Sequence, residues 1–202
     1  MVAPPVFPSD TRASRGLHAS EAPRQFGPVV YDGESKRGAS CMASNSRSVY
    51  LAGPLGFSEL GSLGQSAIAA LARDLGYEVI DPFALAPPGE IERIARLSSL
   101  DAQREAWRLL NRQIGETNMR AIDGCGLVLA VLDGVDVDSG AAAEIGYAFA
   151  RGKRIVGYRG DFRLAADNVG STVNLQVEYF IHASGGEIVA SLDALRARLA
   201  ID

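Results

Sequence analysis

The sequence predicts an α/β fold, namely a doubly wound, five-stranded parallel sheet of flavodoxin-like or Rossmann-like order with helices on both faces. Two observations predict this class. Short apolar runs alternate with longer amphipathic runs from residue 48 onward, as in βαβ units. The most apolar run, residues 127–132, ends at Asp133 and Gly134 and is typical of a strand buried on both faces.

The other strands and helices are predicted from the same two periods. Further short apolar runs predict strands, which cover residues 48–52, 77–80 and 153–158. Helical periods predict the helices, which cover residues 66–75, 90–122, 140–150 and 191–199. Ser139 and Ser191 are predicted caps, and the longest helical region allows breaks near Ser99 and Gly115. Residues 174–181 fit either a fifth strand or an extended turn.

Length and composition favour one folded domain, residues 48–202. The chain has 202 residues, of which 47% are hydrophobic, and this is enough to bury one sizeable core. Residues 1–47 contain scattered Pro, Ser and Gly without a helical or alternating period. They are therefore predicted to form a disordered or loosely packed N-terminal arm.

Composition also excludes several classes of protein. With a net charge of −4 and no run of Lys or Arg, the chain lacks the positive patch that nucleic acid or an anionic membrane requires. No apolar run reaches the roughly 18 residues that span a bilayer. Cys41 and Cys125 fit neither a disulfide framework nor a metal site. We therefore expect a cytoplasmic protein without a metal, a nucleic-acid partner or a membrane partner.

One carboxylate in the predicted helix at residues 140–150 is anomalous. This helix is apolar almost all round, and Glu144 is its single charge. Burying an ionised carboxylate without partners is costly, so such a group is usually paired, neutralised or functional. Its helical neighbours Gly140, Ala141 and Ala148 are small and leave room for a ligand. The alternative is a glutamate at the helix edge that reaches solvent or an arginine.

Ligands of doubly wound sheets bind beyond the carboxyl ends of the strands. By this rule, the unusual residues of the sequence are expected at one edge of the sheet. They are Gly53 and Pro54 after the first strand, Asp81 after the second, residues 133–138 after the third and residues 159–163 after the fourth. Asn118 is the polar member of an apolar helical stripe with Trp107 and Ile114. Its amide either hydrogen-bonds to local backbone or faces a ligand.

Five segments occur in an order and at a spacing that point to a known family. They are Y-L-A-G-P-L-G-F at residues 50–57, residues 118–123, D-S-G-A-A-A-E-I-G-Y-A at residues 138–148, D-F-R at residues 161–163 and N-L-Q-V-E at residues 174–178. Over about residues 48–199 the chain resembles the nucleoside 2-deoxyribosyltransferase family, and the third segment is the most specific. The resemblance implies that residues 48–202 form a nucleoside 2-deoxyribosyltransferase-like catalytic domain.

The resemblance implies roles for four residues. Glu144 matches the nucleophile, which attacks the anomeric carbon of a 2-deoxynucleoside, forms a deoxyribosyl ester and releases the base. Tyr50 matches the tyrosine that positions this glutamate, and Asp138 matches the aspartate that holds a sugar hydroxyl. Asn174 matches a residue that a neighbouring subunit lends to the 5′ end of the sugar, so a homo-oligomer is expected. Such chemistry, like retaining glycoside hydrolysis, requires no metal or organic cofactor.

Further substrate-binding residues are expected around the same site. They are Gly53, Pro54, Phe57, Asn118, Asp133, Gly140 and Arg163. Asn118 departs from the best-known transferases, which have an aspartate that exchanges a proton with the nucleobase at this position. An amide can hydrogen-bond a base but cannot act as a general acid near neutral pH.

Three functions are compatible with the sequence. The first is transfer of a 2-deoxyribosyl group from a deoxynucleoside to another nucleobase through a deoxyribosyl-glutamate intermediate. The second is hydrolysis of the N-glycosidic bond of deoxynucleosides or their 5′-monophosphates, for which Ser58, Ser62 and Arg163 are available as phosphate ligands. The third is a non-catalytic nucleotide-binding module, which would have no need for Glu144.

Overall fold

The structure, a computed structural model, describes residues 45–201. Five strands form one sheet in this range, and they are β1 (Asn45–Ala52), β2 (Glu78–Ile80), β3 (Cys125–Val131), β4 (Arg154–Tyr158) and β5 (Ile188–Val189). The α-helices are α1 (Glu59–Asp74), α2 (Glu90–Ala95), α3 (Leu100–Gly124), α4 (Ser139–Ala150), α5 (Leu175–Ala183) and α6 (Leu192–Leu199). Short 3₁₀ helices follow β1 and β2, at Leu55–Phe57 and Pro82–Ala84.

The sheet is parallel throughout and has the order β2-β1-β3-β4-β5. This is the flavodoxin-like order, so the predicted fold class is confirmed. β3 lies at the centre, as its uninterrupted apolar sequence indicates. The strand order reverses between β1 and β3, and the carboxyl ends of these two strands border the crevice where such folds bind ligands.

Helices cover both faces of the sheet. The residues of β3 alternate between two apolar clusters, so that Leu129 packs with α1 and α6 whereas Val128 packs with α4 and α5 and the end of α3. Both side chains are fully buried, which confirms a strand covered on both faces. Tyr50 of β1 belongs to the second cluster and is also fully buried. Its hydroxyl is therefore carried toward the helices on that face.

The prediction for residues 174–181 is wrong, because this segment forms helix α5. The side chain of Asn174 accepts hydrogen bonds from the amides two and three residues further on and so begins the helix. Val177 and Ile181, one helical turn apart, then pack into the second apolar cluster. The fifth strand is Ile188–Val189, which is too short to show a period in the sequence.

Two other corrections concern helix bounds. α1 begins at Glu59 rather than at residue 66, because the Ser58 hydroxyl accepts a hydrogen bond from the amide of Gly61 and caps the helix earlier. The helical region is broken near Ser99, as predicted, but α3 continues through Gly115. A single glycine lowers helix stability by only about 1 kcal/mol, which packing easily offsets.

Most of the predicted arm, residues 1–44, lies outside the described residues. β1 begins at Asn45, slightly before the predicted start of the domain. The domain boundary therefore stays a prediction. Within residues 45–201, no helix is both long and apolar enough to cross a membrane.

Candidate active site

A hydrogen bond between Tyr50 and Glu144 joins β1 to α4. Tyr50 Oη donates to Glu144 Oε1 over 2.7 Å. On α4, Glu144 lies between Ala141 and Ala148 at i−3 and i+4, and both alanines are buried. The carboxylate is therefore flanked on its own helix by small, buried side chains. The structure thus brings together two residues whose pairing the family resemblance implies.

Burial and hydrogen bonding act in opposite directions on this pair. Burial raises the pKa of Glu144, the hydrogen bond from Tyr50 lowers it, and the negative charge of Asp138 raises it. Burial, followed by the charge of Glu144, raises the pKa of Tyr50 far above its ordinary value. Tyr50 is therefore a neutral donor at all ordinary pH values. Glu144 Oε2 accepts no hydrogen bond from the described residues and is available to a ligand.

Asp138 and Gly140 form the start of α4. Asp138 Oδ2 accepts a hydrogen bond from the amide of Ala141 over 2.9 Å, so Asp138 caps the helix in place of the predicted Ser139. A Cβ atom at Gly140 would lie 3.0 Å from Asp138 Oδ2. Asp138 Oδ1 has no partner among residues 45–201 and is available to a ligand, while its role at a sugar hydroxyl stays a prediction.

The turn after β1 places Gly53, Pro54 and Phe57 at the carboxyl edge of the sheet. Gly53 has φ +149°, and a Cβ atom there would lie 2.9 Å from Cβ of Val131, so the turn requires glycine. Pro54 precedes the 3₁₀ helix that carries Phe57. The Phe57 side chain is 77% exposed and packs edge-on against Phe83, with 4.8 Å between ring centroids. An exposed aromatic pair therefore lies at this edge.

Asp133 ties the loop after β3 to the loop after β4. Its Oδ1 accepts a hydrogen bond from the amide of Asp161 over 2.9 Å. Arg163 in turn binds the carboxylate of Asp161 through Nε, at 2.9 and 3.1 Å. This pairing holds the pKa of Asp161 well below its usual range. The predicted substrate ligand Arg163 is therefore engaged within its own loop.

Arg159, which the sequence places at this edge within residues 159–163 but without a role of its own, supports the same two loops. Its side chain is buried, at 3% exposure, and donates hydrogen bonds to the carbonyls of Leu132, Gly134 and Arg163. The two terminal nitrogens of this buried guanidinium fix the loops that carry the carbonyls, whereas its buried Nε has no hydrogen-bond partner within residues 45–201. The available sequence signal is an arginine directly after an apolar strand, where the fold leaves little access to solvent.

Asp81, which the sequence places at this edge without a role, has a fixed orientation. Its Oδ1 accepts hydrogen bonds from Nε2 of Gln65 over 2.7 Å and from the amide of Phe83 over 2.9 Å. Gln65 is a buried residue of α1. Asp81 Oδ2 has no hydrogen-bond partner among the described residues. A single carboxylate oxygen is therefore left available next to the aromatic pair.

Asn118 lies on α3 one turn before Ile122, which packs in the same apolar cluster as Tyr50. Its side-chain oxygen Oδ1 is buried and has no hydrogen-bond partner within residues 45–201. Buried acceptors are normally satisfied, so this unpaired oxygen is available to a donor from a ligand. The local backbone bond, one of the two interpretations from the sequence, is not made by this oxygen.

Asn174 has a local role in addition to the one implied by the resemblance. Its Oδ1 caps α5, as described above, and its amide nitrogen donates no hydrogen bond to the described residues. The nitrogen is thus available to a neighbouring subunit, and the shared site stays a prediction. In the part of the chain that the structure describes, no three His, Cys, Asp or Glu side chains gather as a metal site would require.

Comparison with known families identifies the family of this chain. The family model described as nucleoside 2-deoxyribosyltransferase matches residues 49–178, a range that includes every site residue above. The chain belongs to the nucleoside 2-deoxyribosyltransferase family. Membership supports glycosyl transfer or N-glycosidic cleavage on nucleosides as the class of reaction. A search of curated proteins finds no match.

Three solved structures are similar to this chain. A conserved protein from Enterococcus faecalis V583 is 22% identical with a TM-score of 0.54, over 75% of this chain and 96% of that one. A 2-deoxyribosyltransferase from Bacillus psychrosaccharolyticus is 19% identical with a TM-score of 0.49, over 74% and 90%. A CMP N-glycosidase from Clostridium botulinum is 19% identical with a TM-score of 0.47, over 77% and 99%. The first of these likenesses supports the fold.

Replacing Tyr50 by phenylalanine tests the electrostatic role of the hydroxyl. Loss of a hydrogen bond that lowers the pKa of Glu144 should raise that pKa further, so the acidic limb of the kcat/KM profile should move to higher pH. Activity at neutral pH should fall about 10- to 100-fold. Tyr77→Phe, which removes a hydroxyl bound to the carbonyl of Leu199 on the opposite face, is the matched control. An unshifted acidic limb in Tyr50→Phe would contradict this role.

Proposed function

We propose that this protein is a nucleoside 2-deoxyribosyltransferase that moves a 2-deoxyribosyl group between nucleobases through an ester on Glu144. The observation that carries the proposal is the 2.7 Å hydrogen bond from Tyr50 to Glu144 Oε1. A neutral donor holds one carboxylate oxygen while the other is available to an anomeric carbon. This is the arrangement that a carboxylate nucleophile requires. A non-catalytic binding module would gain nothing from a partly buried, strictly oriented carboxylate.

The first half-reaction uses the described side chains as follows. Glu144 Oε2 attacks C1′ of the deoxynucleoside, the C1′–N bond breaks, and its electron pair leaves with the base. Tyr50 stabilises the ionised form of Glu144 before attack and aims it. Asp138 Oδ1 binds a sugar hydroxyl and fixes the ring. In the second half-reaction a nitrogen of another base attacks C1′, and the ester electrons return to Glu144.

The surroundings of the site favour a nucleoside over a 5′-phosphate. The three residues that the sequence offers to a phosphate are engaged elsewhere: Ser58 caps α1, the Ser62 hydroxyl donates to the Ser58 carbonyl, and Arg163 binds Asp161. The Ser62 hydroxyl has thus already donated its proton, and Arg163 is partly neutralised by Asp161, so these side chains offer a phosphate less than the sequence suggests. A substrate with an uncharged 5′-hydroxyl needs fewer donors.

Glu144→Gln tests the nucleophile. The amide keeps the shape of the side chain but cannot form the ester, so transfer and hydrolysis should both fall at least about 10⁴-fold. Burial raises the folded-state pKa of Glu144, so the stability it contributes is present at low pH and is lost as pH rises through that pKa. The variant should consequently match or exceed the wild type in thermal stability at neutral pH.

Mass spectrometry of the wild type after mixing with a deoxynucleoside should detect a deoxyribosyl ester on the peptide that contains Glu144. The same peptide from Glu144→Gln should remain unmodified. Turnover by the glutamine variant at the wild-type rate would overturn the proposal and the hydrolase alternative together, because both use the same ester.

Hydrolysis is the second candidate function, and Asn118 is the observation that favours it. Its amide cannot take the proton that an incoming base must lose, so transfer to a base is slowed. Water, which is present at far higher concentration, can then attack C1′ and release its proton to bulk water as the ester electrons return to Glu144. The substrates of the hydrolase would be deoxynucleosides or their 5′-monophosphates. Both functions share the chemistry of Glu144 and differ only in what resolves the ester.

Product analysis separates the two functions. Incubation with a deoxynucleoside and a second nucleobase should yield the new deoxynucleoside, and release of free deoxyribose should decrease as the second base is raised. Competition for a common ester is the physical reason, and chromatography with both products quantified is the measurement. Unchanged release of deoxyribose without any new nucleoside would establish the hydrolase. Parallel incubations with the 5′-monophosphate identify the preferred sugar.

We also propose a homo-oligomer in which Asn174 completes the site of a neighbouring subunit. Its unused amide nitrogen supports this role. Large apolar side chains on the loops at the carboxyl edge of the sheet are strongly exposed, and they are Phe57, Val135, Phe162, Leu164 and Val169. Exposed apolar groups gathered around a site are typical of a surface that a partner covers.

Asn174→Asp tests the shared site without removing the helix cap. The aspartate keeps an oxygen for the amides of α5 but lacks the donor nitrogen, so KM should rise about 5- to 10-fold while stability changes little. Mixing this variant with Glu144→Gln should restore activity, because one mixed site then contains both intact residues. Full activity in a demonstrated monomer, or failure of every mixture of folded subunits to restore activity, would contradict a shared site.

A further inference from the structure

Base transfer requires a proton carrier, and this requirement rests on the proposed function. A departing base leaves with the electron pair of the C1′–N bond and must gain a proton to become neutral. An incoming base must lose its N–H proton before or while it attacks C1′. Asn118, the polar side chain on α3 at this face of the sheet, has no proton to exchange. Another group at the site therefore has to carry the proton.

Asp81 is oriented for such a role. Both hydrogen bonds to its carboxylate, from Gln65 and from the amide of Phe83, end on Oδ1. Oδ2 is left without a donor among residues 45–201. Because Gln65 is buried and belongs to a long helix, the carboxylate is held by a rigid element. Fixing one oxygen and leaving the other available is suited to proton exchange with a ligand.

Asp81 lies next to two features of the site, namely the strand that carries Tyr50 and the exposed aromatic pair. Tyr50 and Ile80 are register partners on β1 and β2, so Asp81 is the first residue beyond the strand that lies beside Tyr50. The charge of Asp81 is among the smaller causes of the raised pKa of Tyr50, after burial and Glu144. On the other side, Asp81 binds the amide of Phe83, whose ring and that of Phe57 form the exposed aromatic pair. Aromatic faces are where nucleobases stack.

The other carboxylates at this edge are less suited to the role. Asp138 caps α4 and is needed at the sugar, Asp133 binds the amide of Asp161, and Asp161 is paired with Arg163. None of these residues makes a contact with the aromatic pair like the bond from Phe83 to Asp81. Within residues 45–201, Asp81 is thus the carboxylate that combines an available oxygen with a place next to a base-stacking surface.

We infer that Asp81 is the general acid and base that exchanges a proton with the nucleobase. In the first half-reaction protonated Asp81 gives its Oδ2 proton to a ring nitrogen of the base as the C1′–N electron pair moves onto the base. The ionised carboxylate then takes the N–H proton of the incoming base as that nitrogen attacks C1′ and the ester electrons return to Glu144. Asp81 regains in the second half-reaction the proton that it lost in the first, so protons balance and no further reactant is needed.

Asp81→Asn tests this assignment, because asparagine keeps an Oδ1 acceptor for Gln65 and Phe83 but cannot exchange a proton. Two substrates are compared: a natural deoxynucleoside, whose base must be protonated, and the 2-deoxyriboside of 4-nitrophenol, whose anion is stable without a proton. The variant should lose about 10²- to 10⁴-fold in kcat on the nucleoside and less than about 5-fold on the nitrophenyl substrate. Asp136→Asn is the control, since Asp136 is exposed and binds a backbone amide in the same way.

Each outcome decides the assignment. Equal losses on the two substrates would show a structural role for Asp81, and an unchanged nucleoside rate would show no role, so either result overturns the inference. If Asp81→Asn does not fold, Asp81→Ala with added formate replaces it, and restoration of nucleoside turnover by formate is the expected result. The proposed function fails separately, if Glu144→Gln turns over both substrates like the wild type.

Discussion

The hydrogen bond between Tyr50 and Glu144 is the constraint on which the rest of the site depends. It links the interior of a parallel sheet to a helix that packs on it, and it requires a carboxylate to be partly buried. The cost of that burial is reduced by a donor that burial itself keeps protonated. Ala141 and Ala148 flank Glu144 on α4 and are buried, so a larger side chain at either position would have to displace its neighbours.

The loops at the carboxyl edge are held by contacts to one another. Arg159 joins three backbone carbonyls, Asp133 joins its loop to Asp161, and Gln65 holds Asp81. Each of these contacts engages some of the polar atoms of a side chain, and only the remaining polar atoms are available to a ligand. The atoms that remain available belong to Glu144, the proposed nucleophile, to hydrogen-bond acceptors, and to Asp81, the proposed acid. A rigid edge with few unsatisfied atoms is what a site for precise group transfer requires.

Much of the fold could be predicted because local patterns and tertiary structure agree. The central strand, the parallel sheet and the helices on both faces follow from apolar runs and helical periods. The errors occur where local signals are weak or ambiguous. The apolar residues of the segment after Asn174 are compatible with either a strand or a helix. Capping by the Asn174 side chain favours the helix. A two-residue strand such as β5 is too short to show a hydrophobic period in the sequence. It is defined by its backbone pairing with β4.

The sequence by itself determined the class of fold, the family and the isolated carboxylate, since periodicity, motif spacing and the cost of a buried charge are local properties. Only the tertiary structure decided which polar groups are available to a ligand. The sequence suggests that Arg163 is a free cation, but in the structure it is paired with Asp161. The sequence likewise suggests that Asp81 is an ordinary turn residue, but in the structure it is oriented by Gln65. Hydrogen-bond partners come from residues distant in the chain, so only the folded positions of both groups determine whether an atom is already satisfied.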